Sequence, residues 1–304
     1  MNNNQQFQWR YLHPRFWLTW LGIGCWRLVV LLPYPVMMWL GRLLGAILYF
    51  MGGYRYQVAE INLALCFPEM SEVQRRQLLR DNFASYGIGF FEVGMAWWWP
   101  TERLNKYIQL EGMEHIEALN GRGALLMAIH YTTLEVGASA LSARHSIDGM
   151  YRPHKSAVYD YVQSKGRRVR NPAGVVYPRE DVRGMFKALR QGRIIWYAPD
   201  QDYGRKQSVF ANFFGVPAAS VTATARFAKV GNAAILPFSP FTLRLRTSPQ
   251  VMRLLMRKRS IAELKHLFLN NLTSIYGLTG VLKRVLRANN VLIPKRNDGK
   301  HVAR

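Results

Sequence analysis

The stretch GALLMAIHYTTLEVGASA, Gly123–Ala140, decides how the chain is read. It opens with a short apolar run, Ala124–Ile129, of the length expected for a buried strand. His130 falls where that strand should end. Thr132 and Thr133 are then N-cap candidates for a following helix, with Glu135 three residues after Thr132. On one continuous α-helix, residues five apart would point about 140° away from each other, at roughly 100° per residue. With His130 on a strand end and Glu135 in the first turn of the next helix, imidazole and carboxylate can instead meet. That is how a carboxylate holds a general base. The same letters also describe an ordinary helix-capping box behind a satisfied histidine, and the short pattern alone leaves both readings standing.

Working outward, the chain beyond about Tyr107 alternates strands with helices. Strands are expected near Ala124–Ile129, Gly149–Tyr151, Val175–Tyr177, Ile194–Ala198 and Ala233–Phe238. Helices are expected near Thr133–Arg144, Ala157–Arg168, Val182–Arg190 and Ser220–Val230. Such alternation predicts an α/β fold, a mixed sheet with parallel portions flanked by helices. Working residues then gather beyond the carboxyl ends of the strands. His130, Arg152 and Asp200 all fall at that edge.

Asp200 and Asp202, in RIIWYAPDQDYG (Arg193–Gly204), are paired carboxylates. No His or third carboxylate stands near them, so a metal is not expected. A turn with an Asx hydrogen bond explains Asp200 equally well, and Gly204 fits it. The basic run Arg152, Lys155, Lys165, Arg167, Arg168 and Arg170 suits either a solvated helix face or anion recognition by forked guanidinium donors. Phe213–Pro217 is expected to be an aromatic turn ahead of a helix. There is no P-loop, no Gly-x-Gly-x-x-Gly after a strand and no Gly-x-Ser-x-Gly. The two cysteines, Cys25 and Cys66, have no ligand spacing and stand far from His130 in sequence. Nucleotide use and a covalent acyl-enzyme are therefore unsupported.

Upstream, Phe16–Leu32 is a 17-residue apolar stretch interrupted only by Arg27 and closed by Pro33 and Pro35. As a helix it would span about 25 Å, against roughly 30 Å of hydrocarbon. Val36–Met51 is a second apolar segment. The expectation is one helix anchoring the chain and a second lying along the membrane surface. Tyr54–Trp99 is helical and amphipathic, broken at Pro68–Ser71, where Ser71 can cap a helix over Glu72–Ala84. Three consecutive Trp in MAWWW, Met95–Trp99, cover all directions of a helix, so some are expected to meet lipid or a partner.

The 304 residues are 49% hydrophobic and carry a net charge of +23, which points to an acidic partner. Nine Trp, 15 Tyr and 15 Phe favour a membrane surface. Charge is spread along the chain without a recognition motif, so nucleic acid is not an expected partner. The segment after Pro240 stands apart, with 14 Lys/Arg against 2 Asp/Glu over residues 241–304.

Several stretches together resemble the late acyltransferases of lipid A biosynthesis, the lauroyl and palmitoleoyl group that modifies Kdo2-lipid IVA. They are LHPRFWLTWLGIG (Leu12–Gly24), LPYPV (Leu32–Val36), NLALCFPEMSE (Asn62–Glu72), GMAWWWP (Gly94–Pro100) and EGMEHI (Glu111–Ile116). HYTTLE (His130–Glu135), YRPH (Tyr151–His154), WYAPDQDYG (Trp196–Gly204) and the FANFF turn (Phe210–Phe214) continue the series in order. The resemblance covers about residues 11–240. It implies a fold like that of the glycerolipid acyltransferases, with an N-terminal membrane-anchoring helix. It also implies transfer of a fatty acyl group from acyl carrier protein to a hydroxyl of an acyl chain on Kdo2-lipid IVA, without a cofactor.

The family's His-x4-Glu motif lands on His130 and Glu135, giving His130 as base and Glu135 as its partner. Arg152, Arg170 and Asp200 match further family positions and are implied to bind substrate. The implied location is the inner membrane, single-pass, with the catalytic domain on the cytoplasmic side and membrane lipid as a further partner. Three segments are expected: a membrane anchor with an interfacial helix (1–53), the α/β acyltransferase domain (54–240) and an atypical basic segment (241–304). That last segment lacks the family's ending, which suggests a shifted reading frame or a replacement after Pro240. A non-catalytic lipid-surface binder is the alternative; it would use the same charge and aromatic residues without needing His130.

Overall fold

The strands of the α/β part are short apolar runs because both faces of each are covered, the pattern of a parallel sheet. The computed structural model describes residues 6–200, 208–243 and 251–256. Its N-terminal helices are α1 (Trp17–Val29), α2 (Tyr34–Met51), α3 (Tyr54–Cys66), α4 (Glu72–Trp98) and α5 (Thr101–Asn105). Next come β1 (Ile108–Glu111), α6 (Glu114–Glu117), β2 (Ala124–Ala128), α7 (Leu134–Ser142) and β3 (Ile147–Tyr151). They are followed by α8 (Ala157–Arg168), β4 (Val176–Pro178), α9 (Val182–Arg190) and β5 (Ile194–Tyr197). The described chain closes with β6 (Ser208–Phe213), β7 (Val216–Val221), α10 (Ala223–Gly231), β8 (Ala234–Leu243) and β9 (Val251–Met256).

Seven strands form one sheet in the order β1-β9-β8-β2-β5-β3-β4. Every pairing is parallel except β8 with β9, so the sheet is mixed. Alternate side chains sort to opposite faces, as a two-residue period requires. Ala124, Leu126, Ala128, Ile147 and Ile194 join a core with α1, α2, α4 and α7. Leu125, Ile195 and Tyr197 join a second core with α9 and α10. The result is a sheet flanked by helices. β8 runs through Pro240 to Leu243, and β9 lies between β8 and β1; residues 257–304, with Asp202 and Gly204, lie outside the described residues.

Ser71 caps α4 in a full capping box with Gln74, as its place at the Pro68–Ser71 break suggests. The helix then continues past Ala84 to Trp98, within the helical stretch expected up to Trp99. Its glycines are tolerated because they let other backbone approach. A Cβ on Gly87 would lie 2.0 Å from the Gly41 carbonyl oxygen, and one on Gly45 would lie 2.3 Å from the Phe83 carbonyl oxygen. Thus α2 and α4 pack backbone to backbone. Trp97 and Trp99 at the end of α4 are buried inside the protein, and Trp98 is half-buried, so this trio is largely core.

The expected anchor at Phe16–Leu32 folds as the 13-residue α1, about 20 Å long and shorter than the hydrocarbon layer. Leu31 and Leu32 turn, and Pro33 and Pro35 start α2, positions where a missing N–H costs nothing. Among the described residues α2 is the one helix long and apolar enough to cross a membrane, with a mean hydropathy of 1.3. One face packs on α4 and the other turns outward with Val36, Trp39, Leu43, Ile47 and Phe50, the last 81% exposed.

The hairpin β6–β7 was not expected. Phe214 and Gly215 form its two-residue loop, both at positive φ (52° and 79°), between Phe213 paired with Val216. It packs against α3, the first half of α4 and Tyr131.

Candidate active site

Two neighbouring strand ends build the centre. Parallel β2 and β5 pair Met127 with Tyr197. Three residues further along each strand stand His130 and Asp200, so the register itself brings them opposite one another. The Asp200 carboxylate takes hold of His130 twice. Its Oδ2 accepts from the His130 backbone N–H at 2.8 Å, and its Oδ1 lies 2.7 Å from the ring Nδ1. An ionised carboxylate only accepts, so the ring donates from Nδ1 and the basic lone pair sits on Nε2. The two side chains are 32% and 17% exposed, open enough for a substrate to reach.

Glu135 occupies the first turn of α7, where the sequence placed it, but its carboxylate is engaged elsewhere. Trp97 Nε1 donates to it at 3.1 Å, and Arg167 donates from Nε at 3.1 Å and from a terminal nitrogen. Burial works against its charge; the Arg167 guanidinium and the hydrogen bonds outweigh this and hold the carboxyl below the usual range. The carboxylate on the His130 ring is thus Asp200, whereas the sequence expectation gave that place to Glu135. Nor does a capping box form: Thr133 is the N-cap of α7 and makes no side-chain capping bond.

His130 and Glu135 both line one cavity of about 480 Å3, inside the roughly 300–1,000 Å3 range of small-molecule sites. It lies between the sheet, at β3, β4 and β5, and helices α7 and α8. Arg152, just past β3, lines it and is exposed. Tyr151 beside it is fixed through its hydroxyl, which donates to Asp160 of α8. Burial and that hydrogen bond push the phenol up to about 12. Asp160 also accepts from the His154 backbone N–H at 2.6 Å, which pins the YRPH segment.

Arg170 is buried and does not line the cavity. Its guanidinium donates to the Ala96 and Trp99 carbonyls, to Ser139 Oγ at 2.7 Å and to Thr101 Oγ1 at 3.2 Å. It closes the carboxyl end of α4, where carbonyls lack helical partners. Sequence reasoning placed Arg167 in a basic run suited to anion recognition and Trp97 in a trio expected to meet lipid or a partner, but gave neither a part in holding Glu135. A basic run and a Trp trio were visible, yet nothing local says which member turns inward. Among the described residues no group of His, Cys, Asp and Glu is arranged to hold a metal.

This geometry, a histidine oriented by an aspartate at the mouth of a cavity, accompanies a clear relationship. The sequence matches the family described as bacterial lipid A biosynthesis acyltransferase over residues 4–247. It is 44% identical over 243 residues to a lipid A biosynthesis lauroyltransferase of Escherichia coli K12, covering 79% of each chain. A lipid A biosynthesis acyltransferase of Haemophilus influenzae is 39% identical over 239 residues, covering 77% of this chain and 76% of that one. A lipid A biosynthesis palmitoleoyltransferase of Escherichia coli K12 is 38% identical over 234 residues, covering 76% of each. The chain therefore belongs to the bacterial lipid A biosynthesis acyltransferase family and is an acyltransferase.

Proposed function

We propose that the protein transfers a fatty acyl group of the lauroyl or palmitoleoyl class from acyl carrier protein to a hydroxyl on an acyl chain of Kdo2-lipid IVA. The observation that carries this reading is the His130–Asp200 pair, with His130 on the wall of the cavity. His130 Nε2 takes the acceptor hydroxyl proton as the oxygen attacks the thioester carbonyl. The new C–O bond forms, the C–S bond breaks, and the imidazolium returns the proton to the leaving thiolate. Asp200 aims the ring and stabilises its positive charge. General-base help of this kind contributes about 10²–10⁴-fold, so positioning supplies the remainder.

Glu135 belongs to the same wall and acts by fixing Arg167, which leaves that guanidinium oriented beside the reacting groups. Arg152 is exposed on the cavity wall and suits an anionic group of the acceptor or the donor. Arg170 acts from behind, by holding the end of α4. The apolar outer faces of α1 and α2 hold the protein on the inner membrane, with the catalytic part on the cytoplasmic side; Trp17, Leu18, Leu21, Trp39 and Phe50 are all more than half exposed there. Acyl carrier proteins are acidic, which gives the net charge of +23 a use in docking.

Mass spectrometry of lipid A from cells with and without the protein tests this reading. Gain of one acyl chain that disappears in His130→Ala supports it. An unchanged lipid A, or a gain that survives His130→Ala, overturns it.

A further inference from the structure

The cavity between the sheet and helices α7 and α8 has a gap in its floor. β3 pairs Gly149 with Trp196 of β5 on one side and with Val176 of β4 on the other, and all three residues line the cavity. Trp196 is braced edge-on by Phe238, with ring centroids 5.3 Å apart. Between that fixed ring and Val176, Gly149 contributes no side chain. A Cβ built on it meets nothing within 4 Å and its φ is not positive, so neither space nor backbone conformation calls for glycine. Alternation along β3 turns this vacancy toward α7 and α8. Ile147, two residues earlier, packs in the core on that face, while Met150 packs in the opposite core with α9.

We infer that this cavity takes the fatty acyl chain of the donor, and that the missing side chain at Gly149 sets how long a chain fits. The inference rests on the acyl-transfer reading above. The carboxylates and the amide that line the cavity are already matched, which favours an uncharged guest beside them. Glu135 is paired with Arg167, and Asp148 is paired with Arg193 and also accepts from the Val175 N–H at 2.8 Å. Asn171 is spent on the Ile147 backbone. A sugar or phosphate inside would find few unmatched partners, whereas an alkyl chain needs none. The exposed Arg152 and Arg168 on the walls suit an anionic group outside the chain's path. A chain entering past His130 would bring its carbonyl to the catalytic end and its methyl end toward β3.

Interiors are packed tightly enough that filling the gap displaces part of the guest. A single methylene too many in an apolar pocket changes discrimination by about 10–200-fold. Thermal stabilisation of the detergent-solubilised full chain by free saturated fatty acids of increasing length reads the cavity without requiring turnover. The expected result is a length optimum that shortens by about two carbons or more in Gly149→Leu and less in Gly149→Ala, as close packing demands. His130→Ala should leave the optimum in place, which separates chain binding from the acyl-transfer mechanism. A transfer assay with varied donor chains, then with varied acceptor chains, assigns the source. The optimum should move in the donor series alone. The inference is overturned if the wild-type protein shows no length dependence, if both Gly149 variants keep the wild-type optimum, or if only the acceptor series shifts.

Discussion

Replacing Glu92 by Gln should stabilise the protein in alkaline solution and not in acid. Glu92 lies on α4 at 1% exposure, and neither of its carboxylate oxygens has a hydrogen-bond partner among the described residues. Tyr34 on the adjoining α2 is within electrostatic reach. Burial raises the Glu92 carboxyl from 4.5 to about 7. The unfolded chain releases this proton near 4.5, and the folded one holds it until about 7. Across that window the folded state binds more protons, so stability falls as pH rises. The loss begins near pH 4.5 and is complete above about pH 7. At about 1.4 kcal/mol per pKa unit the full loss is about 3 kcal/mol. Glutamine keeps the shape and cannot ionise. Denaturant unfolding of the detergent-solubilised protein, followed by Trp fluorescence, should show E92Q more stable than wild type by about that amount at pH 8, with the gap closing by pH 5. A gap that does not change with pH, or an E92Q less stable at pH 8, would refute the reasoning.

Three further outcomes follow from the packing and the buried polar groups. Gly87→Ala should destabilise by about 1–3 kcal/mol through overpacking, because its Cβ would lie 2.0 Å from the Gly41 carbonyl oxygen. Gly24→Ala on α1, where a Cβ meets nothing within 4 Å, should be neutral or slightly stabilising in the same unfolding assay. Arg170→Ala should cost about 2–4 kcal/mol by leaving buried carbonyls at the end of α4 unpaired. In a transfer assay with varied acceptor concentration, its KM should stay within a few-fold of wild type if the residue does not touch substrate.

The helices and strands around the sheet were legible because parallel strands buried on both faces write continuous apolar runs. The position of His130 was legible because working groups in such sheets collect beyond the strand ends. Its partner was not. Asp200 is 70 residues away, and the contact depends on β5 lying next to β2, an order that no local pattern encodes. Glu135, five residues from the histidine, looked the better candidate; its direction is set by Arg167 on α8 and Trp97 on α4, both distant in sequence. The helical reading of Tyr54–Trp99, broken at Pro68–Ser71, matches α3 and α4. What no local pattern tells is why Gly87, Gly89 and Gly94 stand in α4: Gly41, Thr132 and Val30 approach there too closely for a Cβ. The turn at Phe213–Pro217 was legible, but not the hairpin strands β6 and β7 around it, because Phe214 stands at positive φ where Asn or Gly would have marked a hairpin.

The measurement that bears most directly on the account is the turnover of D200N set beside H130A, the double variant and E135Q, with an acyl carrier protein thioester and Kdo2-lipid IVA. An aspartate that orients a catalytic histidine is worth about 10⁴-fold in the best-characterised triad. D200N should therefore lose about 10²–10⁴-fold in kcat, and the double variant should be little worse than H130A, because the two residues act as one unit. E135Q, which leaves the Asp200 contact intact, should fall less. A D200N enzyme within a few-fold of wild type, or losses that simply multiply in the double variant, would contradict the claim that Asp200 holds the base.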